Sequence, residues 1–415
     1  MIRKVKLKQV CREITVGHVG PMADQYVESG VPFLRSQNIL PFRLDESNLK
    51  FIGSEFHRRL KKSALSPGDV LVVRTGYPGT ACELPRHFPV ANCADLVIIR
   101  PSAEVDGYFL CCLFNSTWGK GRVAGSLVGV AQQHFNIGVV KEMEVSLPPI
   151  RVQKQITSIL SAFDRLIENN TRRINILEEV SQMIYREWFV NFRFPGHEKA
   201  RITESEFGTS PSGWTIASFS DLSDILSGGT PRTSVEEFWN GGIPFFGPTD
   251  APKEFFVIQT EKNITPLGLS RCNSKLYPAE TVFITARGTV GKVSMPAVAM
   301  AMNQSCYALR GKTGINQLFL FMLARHCSEQ LQKKAHGAVF DTITVETFQK
   351  LNVLRPPDSI IGQFEPLVRP CFSLMLNLQR ANSNLRTTRD FLLPRLISGA
   401  IRVEQLEAET ASPFS

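Results

Sequence analysis

Gly311-Lys312-Thr313 resembles the end of a loop that cradles phosphate. The full motif needs a glycine five residues before Gly311, where Cys306 stands, so the match fails. Enzymes that methylate amino groups on DNA bases carry Asn or Asp before a double proline and an aromatic ring after it. The chain's double prolines are Leu147-Pro148-Pro149-Ile150 and Arg355-Pro356-Pro357-Asp358, with neither the polar acceptor nor the ring. There is no Gly-x-Ser-x-Gly elbow and no His-Glu-x-x-His helix, and the seven histidines are scattered. Nine cysteines make an odd count without a Cys-x-x-Cys pair, and His326-Cys327 is the only close His/Cys couple. They read as small apolar residues in a reducing compartment. No catalytic residue, bound metal or cofactor is expected in this chain.

The charge points to a partner instead. Lys and Arg number 47 against 38 Asp and Glu, a net +9, which favours a polyanion; charge alone leaves nucleic acid and anionic membrane both open. Basic residues gather at Arg3, Lys4, Lys6 and Lys8 and again at His57-Arg58-Arg59-Leu60-Lys61-Lys62. No run approaches the ~18 consecutive apolar residues of a membrane span, and the first residues lack a signal-peptide core, so a cytoplasmic protein without a membrane partner is expected. A length of 415 residues implies two or three domains.

The elements that would carry such a function come twice. Val31-Pro32-Phe33-Leu34-Arg35-Ser36-Gln37-Asn38 is answered by Ile243-Pro244-Phe245-Phe246-Gly247-Pro248-Thr249-Asp250. A turn, a buried strand and a glycine loop, Ser66 to Gly79, return as Pro278 to Gly291. Asn92 to Arg100 matches Asn303 to Arg310, each followed by a short apolar helix-like stretch, and each copy closes on a double proline. Gly288 follows Gly76 by 212 residues and Pro356 follows Pro148 by 208, a drift that a few loop insertions explain.

A long helical pattern follows each double proline. Ile156, Leu160, Phe163, Ile167, Asn170, Ile174, Leu177, Ser181, Ile184 and Trp188 alternate steps of four and three, as do Ile360, Phe364, Leu367, Cys371, Leu374, Leu378, Ala381, Leu385, Thr388 and Leu392. Two such helices could pair. The seam does not decide direction, but globular copies at opposite ends of the pair would require an antiparallel arrangement, and Asn170 could fix its register. At ~1.5 Å per residue each helix would rise roughly 50–60 Å, about one and a half turns of B-DNA.

Several segments carry a family resemblance: Ser227-Gly228-Gly229-Thr230-Pro231-Arg232-Thr233, Phe238-Trp239-Asn240-Gly241-Gly242-Ile243-Pro244-Phe245, the double proline leading into Gln153-Lys154-Gln155-Ile156, Arg186 to Gly196, and Leu392 to Gly399. Together they resemble type I restriction-modification specificity subunits across nearly the whole chain. The first repeat departs most, lacking the Gly-Gly-Thr-Pro and Trp-Asn-Gly-Gly segments.

The resemblance implies a mixed α/β fold with a pseudo-twofold internal repeat: two similar target-recognition domains, 1–149 and 196–357, separated by two long antiparallel coiled-coil helices, 150–195 and 358–400, with a tail at 401–415. It also implies a chain that binds a two-part double-stranded DNA target and recruits two methyltransferase subunits and restriction/motor subunits. S-adenosylmethionine, ATP and magnesium would belong to those partners. Lys and Arg would track phosphates while loop side chains read base edges. The expected DNA-binding residues are Arg35, Gln37, Asn38, Arg74, Thr75, Gly76, Gln132, Gln133 and His134 in the first domain, and Thr249, Asp250, Arg287, Thr289 and Thr342 in the second. Arg172, Arg173, Glu178 and Glu179 lie off the seam, on faces expected to dock methyltransferase subunits. Two other readings stay open, a scaffold joining two protein-binding domains and an enzyme with unrecognised residues.

Overall fold

The computed structural model describes residues 2–127, 135–205, 208–334, 342–401 and 403. By compactness the chain forms two units, residues 1–167 with 384–415, and residues 168–383. Both long helices are shared between the units.

In the first unit Val70–Val73 pairs antiparallel with Ala81–Glu83 and with Leu96–Pro101, which pairs in turn with Cys11–Val16. Val70, Val72, Val97 and Ile99 pack on one face against the helix Gly107–Asn115, while Leu71, Val73, Leu96 and Ile98 pack on the other with Leu34 and Cys93. A strand covered on both faces reads as an unbroken apolar run, which is why Val-Leu-Val-Val shows no alternation. Burying each such side chain contributes about 1.5–3 kcal/mol. A second sheet joins Val31–Leu34 to Ala91–Cys93 in parallel, and Arg3–Lys6 pairs with Glu144–Leu147.

The second unit repeats this plan. Ser223–Ser227, Cys306–Gly311, Val282–Thr285 and Val293–Pro296 follow the same antiparallel order, Trp239–Phe246 pairs in parallel with Ala301–Met302, and Thr215–Ser218 pairs with Asn352–Arg355. Hydrogen bonds repeat as well. Gly79 N–H donates to Val73 O (3.0 Å) and Gly291 N–H to Thr285 O (2.8 Å); Phe135 N–H donates to Arg74 O (3.2 Å) and Ile343 N–H to Ala286 O (2.9 Å). The repeated turn before the buried strand holds Gly68 at φ +89° in one copy and Glu280 at φ +65° in the other. For a residue with a Cβ that left-handed conformation costs roughly 1 kcal/mol.

The double prolines lead into α1 (Ile150–Phe189) and α2 (Asp358–Ser398), of 40 and 41 residues. They pair in each unit and run antiparallel within the second. In the first, Asp164 on α1 accepts from Arg389 on α2 and from the Tyr108 hydroxyl; in the second, Asn170 donates to Asn382 (3.0 Å) and Asn382 to Thr171 (3.3 Å). Within the second unit Trp188 and Phe189 on α1 also meet Phe364 on α2, so rising numbers on one helix meet falling numbers on the other. Asn170 thus has a buried polar partner, the arrangement that penalises other registers.

The seam of α1 follows the expected positions, while that of α2 keeps Phe364 and Leu378 but shifts by one residue at most of the others. Leu367, Leu374 and Thr388 are exposed, while Ile361, Val368, Phe372, Met375, Asn382, Arg389 and Leu393 are buried with Phe364 and Leu378. Adjacent apolar pairs, Ile360-Ile361, Leu367-Val368, Leu374-Met375 and Leu392-Leu393, let a seven-residue count thread through either member. Pro366 and Pro370 lie inside α2 without ending it. Both are exposed, so carbonyls deprived of an N–H partner face solvent.

Candidate nucleic-acid interface

At one end of the second unit's sheet four loops converge. Gly229 N–H donates to Met302 O (3.0 Å), Ala286 N–H to Ser305 O (2.7 Å), the Thr289 hydroxyl to Pro248 O (3.2 Å), and Thr230 bonds Gln304 side chain to side chain. Glycines permit this crowding, since a Cβ on Gly228 would lie 2.1 Å from Asn303 O and one on Gly229 2.7 Å from Asn273 N. The exposed face carries Thr230, Arg232, Thr249, Arg287, Thr289 and Gln304. Arg287 makes no side-chain hydrogen bond among the described residues, and its guanidinium projects from a loop held by Gly288 and Gly291, both at positive φ.

The first unit builds the same cluster from other residues. His18 N–H donates to Cys93 O (2.8 Å), Ala94 N–H to Leu34 O (2.9 Å), and a Cβ on Gly17 would lie 1.8 Å from Ala94 O. Gly17 thus does the work of Gly228, although the first copy lacks the longer motif. The glycine loop presents Thr75, Gly76 and Tyr77, the last 85% exposed. Beside it, His18 packs edge-on to Phe56 at 5.8 Å and Arg59 lies 5.3 Å over the same ring, which brings the basic helix Ser54–Arg59 to this end of the domain. Arg58, Arg59, Lys61 and Lys62 are exposed there.

The expected residues divide into two groups. Gln37, Thr75, Gly76, Thr249, Arg287 and Thr289 are exposed on the loop clusters. Asn38 and Asp250 instead form the frame. Asn38 is 1% exposed, accepting from Arg35 N–H (3.0 Å) and donating to Asp45 O (3.1 Å); Asp250 accepts from Gly247 N–H (2.8 Å) and Glu261 N–H (2.7 Å). Arg74 is held by Asp95 and by Phe135 O (3.1 Å), so it braces the glycine loop rather than extending from it. Arg35 is half-buried and donates to Asn48 O (2.7 Å); Gln37, with its amide oxygen turned inward, accepts from it at 2.6 Å. Thr342 is half-buried beside Ile343. Gln132, Gln133 and His134 lie outside the described residues. The sequence reading missed Tyr77, Thr230 and Gln304, and noticed the 57–62 basic run only as charge.

On α1 the outward assignment of Glu178 is corrected. Its carboxylate accepts from Phe255 N–H (2.9 Å), and burial raises its pKa to about 7 against the opposing pull of that bond and of Arg325. Arg172, Arg173 and Glu179 are exposed. Among the described residues no three His, Cys, Asp or Glu side chains could hold a metal ion, and no helix is long and apolar enough to cross a membrane.

The model of the type I restriction modification DNA specificity domain matches residues 25–179 and again residues 211–364. The chain belongs to the type I restriction-modification DNA specificity family. Each match covers one recognition domain and runs on into the long helix that follows it. The specificity chain is 25% identical to the HindI specificity subunit of Haemophilus influenzae, over 82% of this chain and 88% of that one. It is 26% identical to the MjaIX specificity subunit of Methanocaldococcus jannaschii, over 64% and 62% respectively. In fold it resembles the crystal structure of the type I restriction-modification S subunit from M. genitalium, with a TM-score of 0.58 and 14% identity over 95% of this chain and 96% of that one.

Proposed function

We propose that this specificity subunit reads a two-part duplex target, one half-site per recognition domain, and recruits methyltransferase and restriction/motor subunits without catalysing anything itself. The observation that carries the reading is the repeated four-loop cluster, built on matching backbone hydrogen bonds but tipped with different side chains: Thr75, Tyr77 and the neighbouring basic helix in one copy, Thr230, Arg287, Thr289 and Gln304 in the other. A constant frame with variable tips is what two half-sites of different sequence require. Arg287 suits guanine O6 and N7, and Gln304 suits adenine. The frame residues Asn38, Arg74 and Asp250 hold the tips, and the exposed cations engage phosphates. Gln132, Gln133, His134 and Thr342 stay proposed contacts, from the segments that lead into Phe135 and Ile343. S-adenosylmethionine, ATP and magnesium would act in the partner subunits, in the cytoplasm.

The test is duplex binding by the chain in complex with a methyltransferase subunit, measured against salt. Binding should weaken steeply as salt rises, by a log–log slope near −0.9 per phosphate contact. A complex that forms but binds duplex with no salt dependence would favour the scaffold.

A further inference from the structure

The second recognition domain is tied to α2 by a polar stripe at positions other than those that tie the first domain to α1, where Tyr108 donates to Asp164 and Gln153 accepts from Asp106 N–H and donates to Glu104 O. Arg369 donates to both carboxylate oxygens of Glu280, at 2.7 and 2.6 Å, and also to Glu365 one turn back. Arg380, about three turns further along α2, donates to Ala297 O (2.9 Å), and the Ser383 hydroxyl accepts from Gln259 (3.0 Å). Ala297 follows Pro296, whose carbonyl receives the Glu280 N–H at 3.0 Å, so the two arginines grip the same hairpin end.

The first copy builds the same turn without the grip. Gly68 N–H donates to Leu84 O (3.1 Å) where Glu280 N–H donates to Pro296 O, and glycine takes the left-handed backbone without strain. The helix position matching Arg369, 208 residues earlier, is Ser161, which bonds within its own helix to Ser158 O and Arg165. A strained Glu280 is thus kept for an ion pair that is about one-third exposed on each side, a kind that adds little to stability. Strain held for a weakly stabilising contact marks a position where geometry matters.

We propose that Glu280 and Arg369, with Arg380, are positioning residues: they fix the pose of the second recognition domain on α2, and with it the spacer length that the chain accepts between half-sites. This rests on the two-part reading above. The experiment co-expresses the chain with its methyltransferase subunit, maps the methylated motif, and then offers that motif with spacers one base pair shorter and longer. In Glu280→Gly the thermal midpoint should match or exceed that of the unaltered chain, because the backbone strain is relieved. Methylation at the native spacer should persist, while its preference over the altered spacers falls about fivefold, and Arg380→Gln should widen the loss. Unchanged spacer preference in Glu280→Gly overturns the proposal, as does a lowered midpoint with methylation lost at every spacer, which would make the pair purely structural. An unaltered chain indifferent to spacer length overturns the two-part reading itself.

Discussion

Glu178 sets a pH dependence on the second unit that one substitution should remove. Its carboxylate lies among Phe255, the Glu254 charge and the Arg325 guanidinium, which stacks 4.6 Å over the Phe255 ring, and burial raises its pKa from 4.5 to about 7. A group whose pKa is raised by folding stabilises fully below its unfolded value and loses that contribution as pH climbs through the folded one. Stability should therefore decline between about pH 5 and pH 8. The gap from 4.5 to about 7 corresponds to roughly 3 kcal/mol, and relaxation around a group that is not wholly buried reduces this to about 2 kcal/mol. Glu178→Gln keeps an oxygen for the Phe255 N–H and removes the charge. At pH 8.5 it should raise the melting midpoint by about 4–8 °C, at 2–4 °C per kcal/mol for a unit of this size; at pH 5 it should change little. Tryptophan fluorescence suits the assay, because Trp188, Trp214 and Trp239 lie in the second unit against Trp118 in the first. A Gln variant less stable than the parent at pH 8.5 would refute the reasoning, since it would mean that attraction to Arg325 outweighs the desolvation of the carboxylate.

In the first unit, Arg389→Met strands the Asp164 carboxylate, whose side chain is 20% exposed, and should cost about 2–4 kcal/mol in denaturant unfolding; the double variant with Asp164→Leu should recover part of that, and no recovery would mean that Arg389 acts through its packing over Phe42 alone. Gly17→Ala meets the Ala94 carbonyl and should cost at least about 2 kcal/mol, whereas Gly121→Ala, with nothing within 4 Å, should be neutral or slightly stabilising; equal effects in thermal melts would discredit the loop geometry. Arg287→Ala should relax discrimination in one half-site only, by about 1–3 kcal/mol, in binding assays on base-substituted duplexes; a uniform loss across both half-sites would make Arg287 a phosphate contact.

The repeat was legible because its markers are backbone necessities. Gly76 and Gly288 sit at positive φ in matching loops, and the double prolines end matching strands. Long helices were legible from periodicity, and α1 kept its expected seam although it too carries adjacent apolar pairs, Leu166-Ile167, Ile176-Leu177 and Met183-Ile184, whose first members are exposed. In α2 paired apolar neighbours hid the seam, and only packing against Phe255, Phe321 and Ile174 selects Val368, Phe372 and Met375. The candidate site was half legible. Polar residue types near glycines found the loops, but sequence cannot say whether a polar side chain turns outward as Arg287 does or inward as Asn38 and Asp250 do. That depends on partners such as Asp45 O and Glu261 N, which folding alone brings within reach. Gly17 escaped notice because a lone glycine carries no motif, and Tyr77 because exposure cannot be read from residue type.

The most direct measurement is a map of methylated bases in a host expressing this chain with a methyltransferase subunit, against the same host without the chain. The account predicts methylation at a motif of two short specific parts with a fixed gap, present only with this chain, and altered in a single part when Arg287 or Gln304 is substituted. Methylation that persists without the chain, or a stable complex that leaves no methylated motif, would contradict it.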